Sequence, residues 1–252
     1  ITVLSQVRIL SGPPLSLYSA LSYLYAMTNL YQKPKMNAES AYKAAVVNRL
    51  MEEGEIRQPA SLVSELFVND RKKRIDLALV REILWAFEIK TDKDSLSRLM
   101  PQVKTYLRFC ERVTVVIHES HLSKVRQTLP KNVGIWVVKY DNGMLSINVV
   151  RRTPFRKIVK KDDIIKLLRV SDLHSFLRQQ GKVVESRKRR DLIREARKFT
   201  SAHLRACALS YMKQKYETSS QIFLTSLDNR LATCEDIAQL SLYTHYRLKC
   251  DV

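Results

Sequence analysis

The sequence contains two strand-like runs separated by a short polar turn, Arg74-Ile-Asp-Leu-Ala-Leu-Val80 and Leu84-Trp-Ala-Phe-Glu-Ile-Lys90. Side chains alternate along a strand, so Glu88 and Lys90 share one face while their apolar neighbours point to the other. A hairpin that closes in the turn between the runs pairs Asp76 roughly opposite Glu88. The pattern therefore predicts two carboxylates and one amine on one face of a sheet.

The apolar residues around these charges indicate that both strands are central in the sheet. They are Ile75, Leu77, Leu79, Trp85, Phe87 and Ile89. A charged side chain on a central strand requires a partner or a function, because burial of an unpaired charge is costly. Carboxylate oxygens suit a hard cation such as Mg²⁺. The alternative is a solvated cross-strand pair of Glu88 and Lys90, with Asp76 as a surface charge.

Hydrophobic spacing and turn residues predict an α/β fold with the order α-β-β-β-α-β, followed by further strands. A first helix over 38–52 stops at Gly54, where glycine commonly ends a helix. The remaining predicted elements are strands at 61–68, 74–80, 83–90, 113–117, 134–138 and 145–149, with helices at 96–110 and 121–129. After Pro154 the chain reads as helical near 162–169, 171–180, 187–214 and 234–248, with a break at Gly181.

An Asp followed twelve positions later by Glu-x-Lys, on two strands after a helix, resembles the PD-(D/E)XK nuclease superfamily. The αβββαβ core of that superfamily carries Asp on the second strand and (D/E)xK on the third. The similarity covers about residues 38 to 140. The segment Gln102-Val-Lys-Thr-Tyr106 resembles the Gln-x-x-x-Tyr motif of the RecB and lambda-exonuclease-like branch, and the stretch from Phe87 to Gln102 resembles a group of uncharacterised bacterial and phage proteins.

The resemblance implies a restriction-endonuclease-like core with a mixed central sheet, and hydrolysis of phosphodiester bonds, with DNA as the expected substrate. Mg²⁺ or Mn²⁺ is the implied cofactor. The implied catalytic residues are Asp76, Glu88, Lys90, Gln102 and Tyr106. The implied metal ligands are Asp76, Glu88 and the carbonyl of Ile89, with Glu65 as an additional carboxylate. The superfamily more often takes that carboxylate from the first helix, where Glu52 and Glu53 are available, and Tyr106 could also be a core-edge residue.

The C-terminal region carries most of the positive charge. The chain has a formal net charge of +19, and residues 151–252 hold 23 Lys/Arg against 11 Asp/Glu. Such an excess attracts polyanions. The segment 185–198 forms a predicted amphipathic basic helix that could follow a phosphate backbone, or could be a solvated face with Glu–Arg pairs. Its candidate nucleic-acid-binding residues are Arg187, Lys188, Arg189, Arg190, Arg194, Arg197 and Lys198.

Composition along the chain predicts an N-terminal segment (1–35), a nuclease core (36–152) and a basic helical extension (153–252). The run Ser5–Pro14 resembles a translated transfer-RNA gene end, which would place the start at Met27 or Met36 beside the integration site of a mobile element. An ordinary N-terminal arm with a helix over Leu15–Leu30 is the alternative. That stretch falls short of the ~20 strongly apolar residues that span a bilayer.

The remaining signals concern the compartment and the partners. The four cysteines form no CxxC pair, which favours free thiols in a reducing cytoplasm. His118 and His121 have no partner at zinc spacing and are interpreted as loop histidines. We expect nucleic acid as the partner, no membrane association, and a possible homodimer. A non-cleaving nucleic-acid-binding protein and a module that binds a protein partner are the alternative functions.

Overall fold

A six-stranded sheet forms the centre of the computed structural model, which describes residues 38–56, 60–69, 72–141, 144–182, 185–186 and 188–241. Its strands follow one another in chain order across the sheet. They are β1 (Ser61–Val68), β2 (Lys73–Val80), β3 (Leu84–Lys90), β4 (Arg112–His118), β5 (Gly134–Asp141) and β6 (Met144–Arg151). The interpretations of residues 1–35, of Arg187 and of the chain after residue 241 lie outside the described residues.

Seven helices with defined bounds accompany the sheet in the described residues. They are α1 (Ala38–Glu52), α2 (Leu99–Phe109), α3 (Leu122–Thr128), α4 (Lys161–Ile165), α5 (Val170–Gln179), α6 (Arg189–Ala196) and α7 (Ser201–Leu227). Short 3₁₀ turns at Leu96–Arg98 and Glu119–His121 lead into α2 and α3, and residues 234–241 are also helical. At the end of α1, Gly54 adopts a φ of 65° and the N–H of Glu55 donates to the carbonyl of Leu50 over 2.8 Å. The predicted α/β class is confirmed.

The sheet is mixed. Strands β1, β2 and β3 form an antiparallel meander, β3, β4 and β5 run parallel, and β6 returns antiparallel to β5. Within the β2–β3 hairpin Leu77 pairs with Phe87, so Asp76 stands opposite Glu88. The parallel pairs need crossover connections, which α2 and α3 provide. The hairpin and these crossovers place the charged residues of β2 and β3 in the middle of the sheet.

Each face of the sheet has its own apolar core. On one face α2 buries Val103, Tyr106 and Phe109. On the other face α1 packs against the aromatic cluster of Trp85, Phe87 and Trp136. Because Phe87 and Ile89 belong to the α1 face, the alternation along β3 turns Glu88 and Lys90 towards the α2 face. The expectation that these two residues share a face opposite Phe87 and Ile89 is confirmed.

The helix predicted over 187–214 was wrong as a single element. The chain forms α6, leaves the helix after Ala196 and restarts at Thr200, whose hydroxyl accepts from the N–H of His203 over 3.2 Å. An N-cap of this kind fixes a helix start, because it satisfies an otherwise unpaired N–H. Within the described residues, the predicted helices at 187–214 and 234–248 therefore correspond to three helical segments: α6, α7 and residues 234–241.

Helix α7 packs along β1. Ser220 accepts from the N–H of Leu62 over 2.9 Å, and Ser61 donates to the carbonyl of Lys213 over 3.1 Å. A buried ion pair between Arg205 of α7 and Glu111, which precedes β4, adds a second attachment, and Glu111 also accepts from the N–H of Leu84 over 2.8 Å. The described residues from Ala38 onwards form one compact unit.

The cysteines and the most apolar helices bear on two of the sequence-based expectations. The described cysteines, Cys110, Cys207 and Cys234, are free thiols, while Cys250 lies outside the described residues. Over the described ranges, no helix combines the length and the apolar character needed to cross a bilayer.

Candidate active site

Asp76 lies on β2, opposite Glu88 of the neighbouring strand β3. Its Oδ2 accepts a hydrogen bond of 2.7 Å from the backbone N–H of Ile89. Burial and, next, the charge of Glu88 raise the pKa of Asp76 well above its ordinary value. The carboxylate is therefore held in place but is electrostatically unfavourable in its charged form.

Glu88 lies on β3 with none of its surface exposed, and both of its oxygens have partners. Its Oε1 accepts from the ammonium of Lys90 over 2.6 Å, and its Oε2 accepts from the hydroxyl of Tyr106 over 2.8 Å. Burial raises the pKa of Glu88 despite these two contacts, which act in the opposite direction. The structure thus brings Asp76, Glu88 and Lys90 together on one face, linked to α2 through Tyr106.

Tyr106 and Gln102 lie one turn apart on the face of α2 that covers the sheet. The Tyr106 hydroxyl is also 2.6 Å from the carbonyl oxygen of Arg74, so its single proton can serve either acceptor. Burial and the neighbouring Glu88 raise the pKa of Tyr106, which keeps the phenol neutral. The Oε1 atom of Gln102 is buried and has no hydrogen-bond partner among the described residues. It is a polar group that remains available for a ligand or for water.

Two further carboxylates, those of Glu39 and Glu65, lie close to Asp76. One oxygen each of Glu39, Glu65 and Asp76 lies within 4.8 Å of the others. Glu39 comes from the first turn of α1, and Glu65 from the middle of β1, so three different elements contribute. Asp76 is the member common to this group and to the Glu88–Lys90 pair.

The backbone of β1 is irregular at Glu65. The pairs Ser64–Leu77 and Leu66–Ile75 flank it, and Glu65 itself adopts a φ of 62°. A non-glycine residue with positive φ in a strand carries backbone strain, which is a feature often found at functional sites. This local distortion accompanies the position of the Glu65 carboxylate beside Asp76.

Lys43 of α1 lies between Glu39 and Glu65. Its ammonium is 2.8 Å from Glu39 Oε1 and also contacts Glu65, whose second oxygen contacts the guanidinium of Arg74. Burial disfavours the charged ammonium, but the two carboxylates outweigh that effect and raise the pKa of Lys43. The site therefore combines four carboxylates with three cations, and the pKa is raised for two of those carboxylates, Asp76 and Glu88.

The sequence-based predictions missed three of these residues, Glu39, Lys43 and Arg74. Glu52 and Glu53, the carboxylates available in the first helix as an alternative to Glu65, pair with Arg49 at the other end of α1. The available signal was the spacing of Glu39 and Lys43, four residues apart in a helix that precedes the first strand, which puts both on one helix face.

The donor set fits a divalent cation such as Mg²⁺ or Mn²⁺. Hard cations prefer carboxylate oxygens, and Glu39, Glu65 and Asp76 supply these from α1, β1 and β2. A cation beside Asp76 would favour the charged form that burial and Glu88 disfavour. Of the ligands predicted from the sequence, Asp76 and Glu65 lie in this group, and the two Glu65 oxygens also contact Lys43 and Arg74. Glu88 lies outside the group, and both of its oxygens have protein partners as well. The observed contact of Ile89 is through its N–H, and its carbonyl stays a predicted ligand.

The basic residues of the segment 185–198 differ in their exposure and in their partners. Arg189 donates to the carbonyl of Leu168 over 2.9 Å and thereby attaches α6 to the preceding helices. The side chains of Arg190 and Arg194 are 78% and 71% exposed, with Asp191 at 3.8 and 3.7 Å respectively. Lys188 lies at the N-terminus of α6. Arg197 pairs with Asp162, and Lys198 with Glu195.

His118 is the last residue of β4, and His121 ends the 3₁₀ turn that follows. His118 Nδ1 is 2.8 Å from the hydroxyl of Ser120, and His121 Nε2 is 2.9 Å from the carbonyl oxygen of Thr91. The position of His121 agrees with its interpretation as a loop histidine, whereas His118 belongs to β4, so its placement in a loop was wrong.

Comparisons with known proteins place the chain in a phage family. A family model described as Bacteriophage P4 protein cII matches residues 32–241. Protein cII of Enterobacteria phage P4 is 28% identical to the chain over 205 residues, which cover 81% of this chain and 77% of that protein. No solved structure matches the chain. The family match spans more than half of the sequence, and the chain therefore belongs to the bacteriophage P4 protein cII family.

Proposed function

We propose that this protein is a metal-dependent nuclease that hydrolyses phosphodiester bonds of DNA. The observation that carries the proposal is the position of Asp76, which joins the Glu39–Glu65 carboxylates on one side to the Glu88–Lys90 pair on the other. An arrangement of several carboxylates and one lysine on adjoining strands matches the chemistry of phosphodiester hydrolysis, in which a cation and an amine stabilise negative charge.

Asp76, Glu39 and Glu65 would hold the cation. When bound there, Mg²⁺ or Mn²⁺ would supply Lewis-acid stabilisation of the phosphate charge and would lower the pKa of water. Lys90 lies on the same face as Asp76, and Glu88 fixes its ammonium at 2.6 Å. We infer that Lys90 orients the attacking water or neutralises the developing charge on phosphorus, and that Tyr106 positions Glu88.

The proposal includes a restriction-endonuclease-like core of the PD-(D/E)XK type. Its support is the order α1, β1, β2, β3, α2, β4, with Asp76 on the second strand and Glu88-Ile-Lys90 on the third. Gln102 and Tyr106 on the following helix agree with the Gln-x-x-x-Tyr motif, and the Gln102 oxygen without a partner is suited to contact a ligand.

One observation favours a second candidate, a nucleic-acid-binding protein that does not cleave. Both oxygens of Glu88 already have partners in the protein, and the exposed Arg190 and Arg194 could contact phosphate without any chemistry. Binding of this kind would be salt-sensitive, because phosphate contacts release counterions.

A cleavage assay distinguishes the two candidate functions. The full chain is incubated with circular DNA, linear DNA and RNA in Mg²⁺, Mn²⁺ or EDTA, alongside Asp76→Ala and Lys90→Ala. If the protein is a nuclease, the wild type cleaves at least one substrate, and EDTA and both substitutions abolish that cleavage. Salt-sensitive binding without cleavage of any substrate would reject the nuclease and favour the second candidate. Opening of circular DNA would indicate internal cleavage, and degradation of linear DNA alone would indicate attack from ends.

A further inference from the structure

The segment 152–160 connects β6 to α4 and contains neither helix nor strand. Two of its residues attach it to the rest of the protein. The Arg156 guanidinium donates to the carbonyl of Leu107 over 2.7 Å, and its backbone N–H donates to the carbonyl of Glu111 over 2.9 Å. Ile158 is buried in the apolar cluster formed by α4, α5, α6 and α7. The segment is therefore held in a defined position although it has no secondary structure of its own.

Exposure alternates along segment 152–160. Arg156 and Ile158 are turned towards the core, whereas Phe155, Lys157 and Val159 are exposed. The exposed fraction is 58% for Phe155 and 57% for Val159. A phenylalanine ring is normally buried, because it is large and entirely apolar. Here the anchored neighbours on both sides present the ring to a partner.

The exposed cations around Phe155 lack partners within the protein. Residues 152–161 contain five basic residues and no acidic residue. Arg156 and Lys161 donate to backbone carbonyls. The other three are exposed, and their side chains form no hydrogen bond or ion pair with any residue that the structure describes; they are Arg152, Lys157 and Lys160. Unpaired cations at this density attract an anionic partner.

The segment adjoins the basic helix α6. Lys161, the first residue of α4, donates to the carbonyl of Arg197 over 2.8 Å, and the guanidinium of Arg197 pairs with Asp162. Arg197 is the C-cap of α6, the helix that carries the exposed Arg190 and Arg194. The exposed cations of segment 152–160 thus lie next to the helix that already offers two candidate phosphate contacts.

An exposed ring among unpaired cations matches an unpaired nucleobase and its neighbouring phosphates. Aromatic rings stack on bases of any sequence, while cations follow the backbone. In a duplex the bases are stacked on each other and paired, so a surface ring of this kind suits a single strand. An anionic membrane is the competing partner, but membrane attachment scales with buried apolar area and commonly uses an amphipathic helix. Segment 152–160 has two exposed large apolar side chains and no helix, which favours nucleic acid.

We propose that segment 152–160 binds single-stranded nucleic acid, with Phe155 stacked on a base and Lys157 and Lys160 at the neighbouring phosphates. This surface extends the nucleic-acid contacts beyond α6. It does not rest on the proposed hydrolysis, because no residue of the segment belongs to the candidate active site. A protein that binds without cleavage would use it in the same way.

Fluorescence anisotropy of the full chain in EDTA tests the proposal. The probes are a labelled single-stranded DNA of mixed sequence and the duplex of the same sequence. Phe155→Leu removes the ring but keeps an apolar side chain, and Phe155→Tyr keeps the ring. Tyr140→Leu is the matched control, because Tyr140 on β5 is an aromatic residue with 76% exposure. Sedimentation with vesicles of phosphatidylserine and phosphatidylcholine tests the membrane alternative, and thermal unfolding checks that each variant folds.

We expect Phe155→Leu to weaken single-strand binding about fivefold or more, which is the lower end of the usual stacking effect. Phe155→Tyr should bind as the wild type does, and duplex binding should change less than single-strand binding in Phe155→Leu. Lys157→Gln/Lys160→Gln should reduce the slope of log K against log salt on the single strand by about 1.4, because two phosphate contacts are lost. Lys124→Gln/Lys131→Gln should leave that slope unchanged.

Three results would overturn the proposal. They are wild-type binding of the single strand by Phe155→Leu, a loss in Phe155→Tyr or Tyr140→Leu as large as that in Phe155→Leu, and equal losses on the single strand and the duplex. Vesicle binding that depends on Phe155, without single-strand binding that does, would assign the segment to a membrane instead.

These outcomes are independent of those of the cleavage assay, because EDTA suppresses any cation-dependent hydrolysis. Binding that depends on Phe155 in a protein that cleaves no substrate would reject the nuclease and leave this proposal standing. Cleavage by a protein in which Phe155→Leu has no effect on single-strand binding would reject this proposal and leave the nuclease standing.

Discussion

Asp76 accepts a hydrogen bond of 2.7 Å from the backbone N–H of Ile89, the residue that follows its cross-strand neighbour Glu88. This contact places two carboxylates side by side on central strands, where burial raises the pKa of both. Proteins tolerate such unfavourable groups chiefly where they serve a function. The relation between these residues leads to predictions about stability, cation binding and cleavage.

Asp76→Asn should stabilise the cation-free protein. The amide oxygen can still accept from Ile89, but the substitution removes a charge that burial and Glu88 disfavour. We expect the free energy of unfolding to rise by about 1 kcal/mol, as is common when a strained site is relieved. Thermal unfolding in EDTA measures this, with Glu82→Gln at the exposed end of the hairpin as the control. A lower melting temperature for Asp76→Asn would contradict the account.

Cation binding should stabilise the protein more strongly at higher pH. The pKa of Asp76 and that of Glu88 are raised in the folded state, so the folded protein binds more protons than the unfolded chain. The contribution of these two groups to the stability of the cation-free protein is then greatest below the ordinary carboxyl range, and it is lost as pH rises through the raised pKa values. A cation offsets this loss, and at a hundred times its Kd it adds about 2.7 kcal/mol.

The measurement is the shift in melting temperature caused by saturating Mg²⁺ at about pH 8 and at about pH 5. A larger shift at the higher pH is expected, because protonated carboxylates bind cations poorly. Asp76→Asn should reduce the shift at both values. A shift that is the same at both pH values, or unchanged in Asp76→Asn, would mean that Mg²⁺ does not bind at this group.

Lys43→Met should destabilise the cation-free protein. The buried ammonium contacts both Glu39 and Glu65, and its loss leaves those carboxylates without their shared partner. Breaking a buried ion pair from one side typically costs about 3–5 kcal/mol. Arg49→Met on the same helix is the matched control, because Arg49 pairs with Glu52 and Glu53 at the surface.

Chemical denaturation measures both variants of α1. The control should lose at most about 1 kcal/mol, which is the usual value of exposed pairs. Saturating Mg²⁺ should recover part of the stability of Lys43→Met, since a cation at the carboxylate group would replace the missing charge. Equal losses in the two variants would show that Lys43 has no special role in the site.

Arg190→Gln/Arg194→Gln should weaken DNA binding and reduce its salt dependence. Both side chains are largely exposed on α6, so each can contact a phosphate. Loss of two phosphate contacts should reduce the slope of log K against log salt by nearly 2. Fluorescence anisotropy across a salt series measures the slope. Lys124→Gln/Lys131→Gln, at an exposed surface elsewhere, should leave it unchanged, and equal effects of the two pairs would indicate diffuse electrostatic binding.

The strands and their register were predictable, because strong local patterns determine them. Alternation in Leu84–Lys90 and the polar turn before it were enough to place Asp76 opposite Glu88, and the structure has that register. Residues 38–52 were predicted as a helix and form α1 (Ala38–Glu52), because helical spacing and Gly54 mark both its face and its end.

Other features depend on tertiary contacts that a sequence pattern does not carry. The approach of Glu39 to Asp76 depends on how α1 packs across the sheet, and the positive φ of Glu65 is a local distortion within a strand-like run. The break between α6 and α7 at Thr200 was missed, because apolar periodicity continues across it and the cap is a single hydroxyl. The interaction of Arg189 with a backbone carbonyl likewise follows from packing rather than from charge.

The rate of DNA cleavage under enzyme excess tests the central claim most directly, since it reports chemistry without turnover. The measurement compares wild type, Asp76→Asn, Lys90→Ala and the Glu82→Gln control in Mg²⁺ and in EDTA. We predict that EDTA abolishes cleavage, and that Asp76→Asn and Lys90→Ala each slow it at least about a hundredfold, the usual minimum for loss of a group that stabilises charge in the transition state. Glu82→Gln should cleave as the wild type does. Cleavage that persists in Asp76→Asn at the wild-type rate, or that is insensitive to EDTA, would contradict the account.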